Sequence, residues 1–173
     1  MKPWEFIRHC PRCGVATAGD GGSVPFRCGS CDFTLFFNPV VGVAGIIRRP
    51  DGAILLLRRA KKPAKGKLGV PGGFVDFGET AEDALRREAG EEVGLRLDGL
   101  EYFLSHPNPY TYRGVTYGVL DFYFTARVEA TQSAVALDEV ESVVWMQPNV
   151  IALDELAFPS LRHAIAKYRE GAR

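Results

Sequence analysis

The chain has no long apolar run, no excess of charge of either sign, and no cysteine outside its first 31 residues. The longest unbroken apolar segment, Val40 to Ile47, has eight residues, far short of the roughly 20 that span a bilayer. The opening Met1-Lys-Pro-Trp-Glu-Phe-Ile-Arg shows no apolar core of an export signal, so a reducing, cytoplasmic setting is expected. Lys and Arg number 21, as do Asp and Glu. That balance argues against a protein that coats nucleic acid or an anionic membrane. What is present is 46% hydrophobic residues over 173 positions, enough for one domain with a real core and at most a small appendage. There is no internal repeat and no low-complexity segment.

The four cysteines form two knuckles, Cys10-Pro-Arg-Cys13 and Cys28-Gly-Ser-Cys31, separated by 14 residues. Two such knuckles place four thiolates where they can converge on one tetrahedral ion, which points to structural zinc. Two disulfides or a four-thiolate iron site are the alternatives. A reducing compartment disfavours the disulfides. Glycines at 14, 19, 21, 22 and 29 suit the knuckle turns and a mobile tip between them. A segment of 37 residues is too short to hold a core alone, so metal should supply much of its folding energy. Its net charge of +1 over residues 1–37 is no footprint for a phosphate backbone. The expected division is a zinc ribbon over residues 1–37 and a second domain over 38–173. His9 reads as a surface residue beside an already complete thiolate set.

Beyond Phe36-Phe37-Asn38-Pro39, the runs Val40–Arg48 and Ala53–Arg59 predict strands around a turn at Arg49-Pro50-Asp51-Gly52. Residues 66–73 read as loop. Thr80 to Val93 predicts a helix, with Thr80 as N-cap, Asp83 at the capping-box position and Gly94 as the stop. Further strands are expected at Glu101–Leu104, Tyr117–Val128 and Ser142–Met146, with a loop over 105–114. A terminal helix should follow Phe158-Pro159, to about Arg169. Strands interleaved with two helices predict an α/β or α+β sandwich.

Charge is unevenly spread. Residues 48–67 hold eight basic side chains against Asp51, a net of +7, whereas residues 76–98 carry a net of −5. On the predicted helix Glu88, Glu91 and Glu92 share one face, bordering the apolar stripe of Ala81, Ala84 and Leu85. Like charges at this spacing repel, and partial burial raises the cost. A hard divalent cation, Mg²⁺ or Mn²⁺, would relieve it. A solvated acidic face paired with Arg86 and Arg87 is the alternative. Gly90, in mid-helix, costs about 1 kcal/mol relative to alanine and suggests a competing demand. The bend at Pro71-Gly72-Gly73 lets backbone approach a ligand closely.

The span Gly73 to Leu95 reads G-FVDFG-E-TAEDALR-RE-A-G-EE-V-G-L. It resembles the Nudix box, G-x5-E-x7-R-E-U-x-E-E-x-G-U, with every fixed glycine, glutamate and arginine present and Ala89 in the first apolar slot. Set behind a four-cysteine ribbon, it is similar to the zinc-ribbon Nudix proteins, of which NADH pyrophosphatases are the best-known members. Their S-Q-P-W-P-F-P-x-S signature is replaced by Ser105-His-Pro-Asn-Pro-Tyr-Thr-Tyr-Arg113. The resemblance implies a Nudix-type α/β/α sandwich with a mixed sheet, and a homodimer. It implies that Glu88 and Glu92 ligate metal, that Glu91 is a further ligand or the base, and that the Gly72 carbonyl completes the site. Glu79 and Arg87 would pair to brace the helix, and Glu139 would be an additional catalytic glutamate, with Asp138 and Glu141 as competitors.

The implied activity is metal-dependent cleavage of a nucleoside diphosphate linked to another moiety, such as NAD(H) or ADP-ribose. Arg58, or else Arg59, Lys65 or Lys67, would neutralise phosphate charge. Phe37 and Tyr112, with Phe36, Tyr110 and Tyr117, are the available stacking platforms, although aromatic residues are by default core. His106 is a weaker substrate candidate, and His163 carries no signal. A different class remains open: a nucleotide-sensing regulator whose ribbon binds nucleic acid. Decapping of nucleotide-capped RNA is a third reading.

Overall fold

A computed structural model describes residues 1–17, 24–129 and 131–171. Gly19, Gly21 and Gly22, expected at the ribbon tip, lie outside the described residues. The chain forms two compact units, Met1–Val40 with Pro109–Gly118, and Val41–Asn108 with Val119–Arg173.

In the first unit, β1 (Phe26–Arg27) pairs antiparallel with β2 (Thr34–Leu35), with Phe26 opposite Leu35. Its core is small. Cys10, Phe26 and Cys28 are buried, and Ile7, Cys31, Phe33, Leu35 and Phe37 pack around them. Among the described residues of this unit, two of the three buried ones are therefore cysteines.

The second unit is built on β3 (Val40–Arg48) and β4 (Ile54–Arg59), joined by the expected tight turn. There Asp51 Oδ1 accepts the Ala53 N–H at 3.0 Å, and the Arg49 carbonyl accepts the Gly52 N–H at 3.0 Å. Both strands read as continuous apolar runs because both faces of the sheet are covered. Val43, Ile47, Leu55 and Leu57 pack under helix α1 (Ala81–Val93), against Ala84, Leu85, Ala89 and Val93. Ile46, Ile54 and Leu56, of opposite parity, pack under α2 (Pro159–Gly171), against Leu161, Ala164 and Ile165. The result is the α/β/α sandwich expected from the sequence.

The remaining strands are β5 (Leu68–Gly69), β6 (Gly72–Phe74), β7 (Glu101–Tyr112), β8 (Val115–Arg127) and β9 (Val140–Met146). The seven-stranded mixed sheet runs β5-β4-β3-β8-β7, with β6 also on β3 and β9 also on β4. Two expected loops are thus partly strand. Residues 66–73 contain β5 and the start of β6, which are too short to show a period of two. Residues 105–112 continue β7 despite Pro107 and Pro109. The two prolines share parity, so the N–H groups they lack point to one side. On a strand at the end of the sheet order, that side has no neighbour to bond. Among the described residues no helix is long and apolar enough to cross a membrane.

Candidate active site

The acidic face is positioned by the two ends of α1. At the N-terminus Thr80 Oγ1 accepts the Asp83 N–H at 3.1 Å and its hydroxyl donates to Asp83 Oδ2 at 2.8 Å, a capping arrangement that fixes the first turn. At the C-terminus Gly94 adopts the left-handed conformation (φ 69°) that ends a helix without a Cβ penalty. The last-turn carbonyls are taken by a distant segment: Val135, Leu137 and Asp138 donate their N–H groups to the carbonyls of Val93, Glu92 and Glu91. Orphan helix carbonyls thereby anchor the chain that carries Glu139.

The helix faces the Pro71–Gly73 bend. Glu92 Oε2 accepts the Gly72 N–H at 3.0 Å. The Glu88 carboxylate lies so close to the Gly73 Cα that a β-carbon there would run into it. Burial pushes the Glu92 carboxyl up to about 8, against the lowering effect of the Gly72 N–H, and the charges of Glu88 and Glu139 add to the rise. Burial also raises Glu88, outweighing its ion pair with Arg87, and Glu91 and Glu139 contribute in the same direction. Glu91 is more open, with 57% of its side chain exposed.

Arg87 organises this face. Its Nε and Nη2 grip both oxygens of Glu79 at 3.0 and 3.1 Å, while Nη1 reaches Glu88 at 2.8 Å and Glu91 at 3.2 Å. Nη2 also donates to the Phe74 carbonyl at 3.1 Å. The planar guanidinium makes one side chain serve helix, loop and strand together. Its hydrogen bonds hold Glu79 below the usual carboxylate range. They also draw Glu88 and Glu91 to one side while Glu92 turns to Gly72, so among the described residues the glutamates do not form a ready-made ligand cluster.

Glu139 joins this group in space. It adopts a left-handed backbone (φ 58°), uncommon for a side chain other than glycine, asparagine or aspartate, and its charge acts on both Glu88 and Glu92. Its carboxylate is paired with Lys61 Nζ at 2.9 Å. Asp138 lies 4.0 Å from the same ammonium, and Glu141 is exposed on β9.

The basic candidates separate. Arg58 donates to the Gly66 carbonyl at 2.6 Å, and Lys67 bonds the Asp154 carbonyl and Glu155, each at 3.1 Å. Arg59 is the arginine whose charge reaches Glu92, while its Nε donates to the Pro63 carbonyl at 3.0 Å. Lys65 is exposed. Lys61 was one of eight basic residues with nothing local to single it out. Its role depends on a partner 78 positions away.

The aromatic candidates lie in the first unit. Phe37 packs on the cysteine cluster and meets Trp4 edge-on, with ring centroids 5.7 Å apart. Tyr112 is exposed beneath the Arg113 guanidinium, and Phe36 is exposed. Tyr117 is half-buried. In the second unit the His106 and His163 rings stack at 4.3 Å, which sequence gave no reason to expect.

The four cysteines of the ribbon converge, with all sulfurs within 4.8 Å of one another. Cys10–Cys31 and Cys13–Cys28 are separated by 3.8 and 3.7 Å, far beyond the roughly 2.05 Å of a disulfide. Zinc–sulfur bonds of about 2.3 Å in a tetrahedron set the sulfurs about 3.8 Å apart. The donor set therefore fits zinc in both chemistry and spacing.

The NUDIX domain family model matches residues 38–168. The chain belongs to the Nudix family. Its Nudix helix is α1, and Gly73 at the end of the bend and Arg87 belong to the Nudix box. The chain is 49% identical over 63 residues to an ADP-ribose pyrophosphatase of Methanocaldococcus jannaschii, a match covering 36% of this chain and 37% of the relative. It is 29% identical over 145 residues to the human mitochondrial NAD(P)H pyrophosphatase NUDT13, covering 84% of this chain and 40% of the relative. The chain thus spans less than half the length of either relative. Its fold is similar to that of a solved NUDIX hydrolase of Nitrosomonas europaea, with a TM-score of 0.64 and 22% identity over 95% of this chain and 94% of the other.

Proposed function

We propose that this Nudix protein is a divalent-metal-dependent pyrophosphohydrolase that cleaves the diphosphate of a nucleoside diphosphate linked to a second moiety, with NAD(H) and ADP-ribose as the leading substrates. The observation that carries this reading is the face of α1 where Glu92 and Glu88 meet the Gly72–Gly73 backbone, both raised by burial, with Glu91 held beside them by Arg87. The two relatives, named for ADP-ribose and NAD(P)H pyrophosphatase activity, support the substrate class.

The donor set fits Mg²⁺ or Mn²⁺. Hard carboxylate oxygens of Glu88, Glu91 and Glu92, with the Gly72 carbonyl, are what such ions prefer, and repulsion among the carboxylates would be relieved by binding. A bound divalent ion would neutralise diphosphate charge and lower the pKa of a water molecule. The chain's own residues do the rest. Arg87 holds Glu79, Glu88 and Glu91 in fixed relation, so little reorganisation accompanies reaction. A box glutamate carboxylate accepts a proton from the attacking water. That water forms a bond to one phosphorus, and the bond from phosphorus to the bridging oxygen breaks, leaving two monophosphate products. Arg59 supplies positive charge beside Glu92.

A product-resolved panel of NADH, NAD⁺, ADP-ribose and dinucleoside polyphosphates, each with Mg²⁺ or Mn²⁺, tests this. AMP plus a second monophosphate is the expected outcome. Glu92→Gln should lower kcat by about 100-fold or more without unfolding the protein. Tight ligand binding without turnover, together with ribbon-dependent DNA binding, would replace the enzyme by the nucleotide-sensing regulator.

A further inference from the structure

We propose that Lys61 is a built-in competitor of the divalent cation: its ammonium neutralises Glu139 in the metal-free protein and gives that carboxylate up when the cation binds. The inference rests on the reading of the α1 face as a divalent-cation site. It assigns a positioning role to a residue outside the box.

Three observations carry it. The first is the backbone frame. Leu137 and Asp138 donate to the Glu92 and Glu91 carbonyls at 3.0 and 3.3 Å, and the Glu139 carbonyl accepts the Ala60 N–H at 2.9 Å. The segment carrying Glu139 is therefore tied on one side to the helix and on the other to the residue before Lys61. The second is the left-handed conformation of Glu139 (φ 58°). That costs roughly 1 kcal/mol, and the frame that imposes it holds Glu139 next to the residues bonded to the last turn of α1. The third is charge. Glu139 acts repulsively on both Glu88 and Glu92, and Lys61 meets it at 2.9 Å, with Asp138 4.0 Å away. Arg59 is the cation whose charge acts on Glu92, and its Nε is held by the Pro63 carbonyl, whereas Lys61 pairs with Glu139.

The physical consequence is specific. Arg87 offsets Glu88 and Glu91, and the Glu139 carboxylate adds a further negative charge that acts on the α1 face when no metal is present. Lys61 is the exposed, flexible cation that offsets that charge. An exposed pair of this kind is readily exchanged, because both partners remain largely hydrated and little desolvation is recovered when it breaks. A divalent cation carries twice the charge and would take over Glu139, so the ammonium and the metal compete for one carboxylate.

The test is Mn²⁺ binding to the full chain, followed by electron paramagnetic resonance, without nucleotide and at fixed ionic strength. Lys61→Met should bind Mn²⁺ about three- to ten-fold more tightly than wild type, the size expected when one nearby charge is removed at high effective dielectric. Lys62→Met removes the same charge from the neighbouring exposed position and should change affinity by less than two-fold. In a Glu139→Gln background the effect of Lys61→Met should shrink to that of Lys62→Met, because the contested carboxylate is gone. Equal effects of Lys61→Met and Lys62→Met in the wild-type background would overturn the proposal. Failure of wild type to bind Mn²⁺, or retention of binding in Glu92→Gln, would instead overturn the cation-site reading beneath it.

Discussion

Glu92 shows how one residue couples stability to function. Its carboxyl is pushed by burial from an ordinary 4.5 up to about 8. Between those values the folded protein holds a proton that the unfolded chain has released. Stability therefore falls as pH rises from about 4.5 to about 8 and levels off above, by about 1.4 kcal/mol for each unit of difference. Glu92→Gln keeps an acceptor for the Gly72 N–H and abolishes the titration. In buffer free of Mg²⁺ and Mn²⁺, the variant should gain stability over wild type steadily between pH 5 and pH 8. Urea unfolding at those two pH values measures the difference, in which titrating groups not coupled to Glu92 cancel. A difference that does not change with pH would contradict a carboxylate whose burial outweighs its bond to the Gly72 N–H. The cost is the expected signature of a site arranged for a ligand rather than for its own stability.

At the scale of elements, α1 was legible because its signals are local. Thr80, Asp83 and Gly94 fixed its ends, and i,i+3 and i,i+4 spacing placed the glutamates on one face. The competing demand that a mid-helix glycine suggests finds no contact at Gly90, where a β-carbon would meet nothing within 4 Å and the residue is exposed. About 200° from Glu88 around the helix, it faces away from the acidic group. Gly90→Ala should therefore raise stability by about 0.5–1 kcal/mol, through helix propensity and a less flexible unfolded chain, and leave turnover unchanged. Thermal unfolding with a parallel kinetic assay checks both. An alanine variant that was stable but slow would restore a functional demand at this position. The strand over 105–112 was not legible, since prolines are tolerated there only through its place at the end of the sheet order. Glu139 was named from resemblance, but its pairing with Lys61 arises from two segments that converge only in the folded sheet.

Across the whole molecule, the two units differ in what stabilises them. The second has two large apolar clusters, one on each face of its sheet. Among its described residues the first has three buried ones, two of which are cysteines, so little apolar burial offsets the entropy of ordering the chain and a bound metal would supply the difference. The cysteine spacing made the convergence of the four thiolates readable from sequence, whereas the segment Pro109–Gly118 of the same unit comes from a distant hairpin that spacing could not reveal. Zinc in a four-thiolate site contributes on the order of 10 kcal/mol to folding. Native mass spectrometry should accordingly find one zinc per chain, and Cys13→Ser should lose it. Hydrogen exchange in the metal-free protein should show protection lost at Phe26 and Leu35, which pair across the ribbon hairpin, and retained at Ile46, Leu56 and Leu85, each 0% exposed in the second unit's clusters. Protection that persisted at Phe26 after zinc removal would mean that apolar packing suffices and that the metal has another role. Loss of protection at Ile46 as well would mean that the ribbon's zinc supports the whole chain, since Ile46 belongs to a core that contains no cysteine.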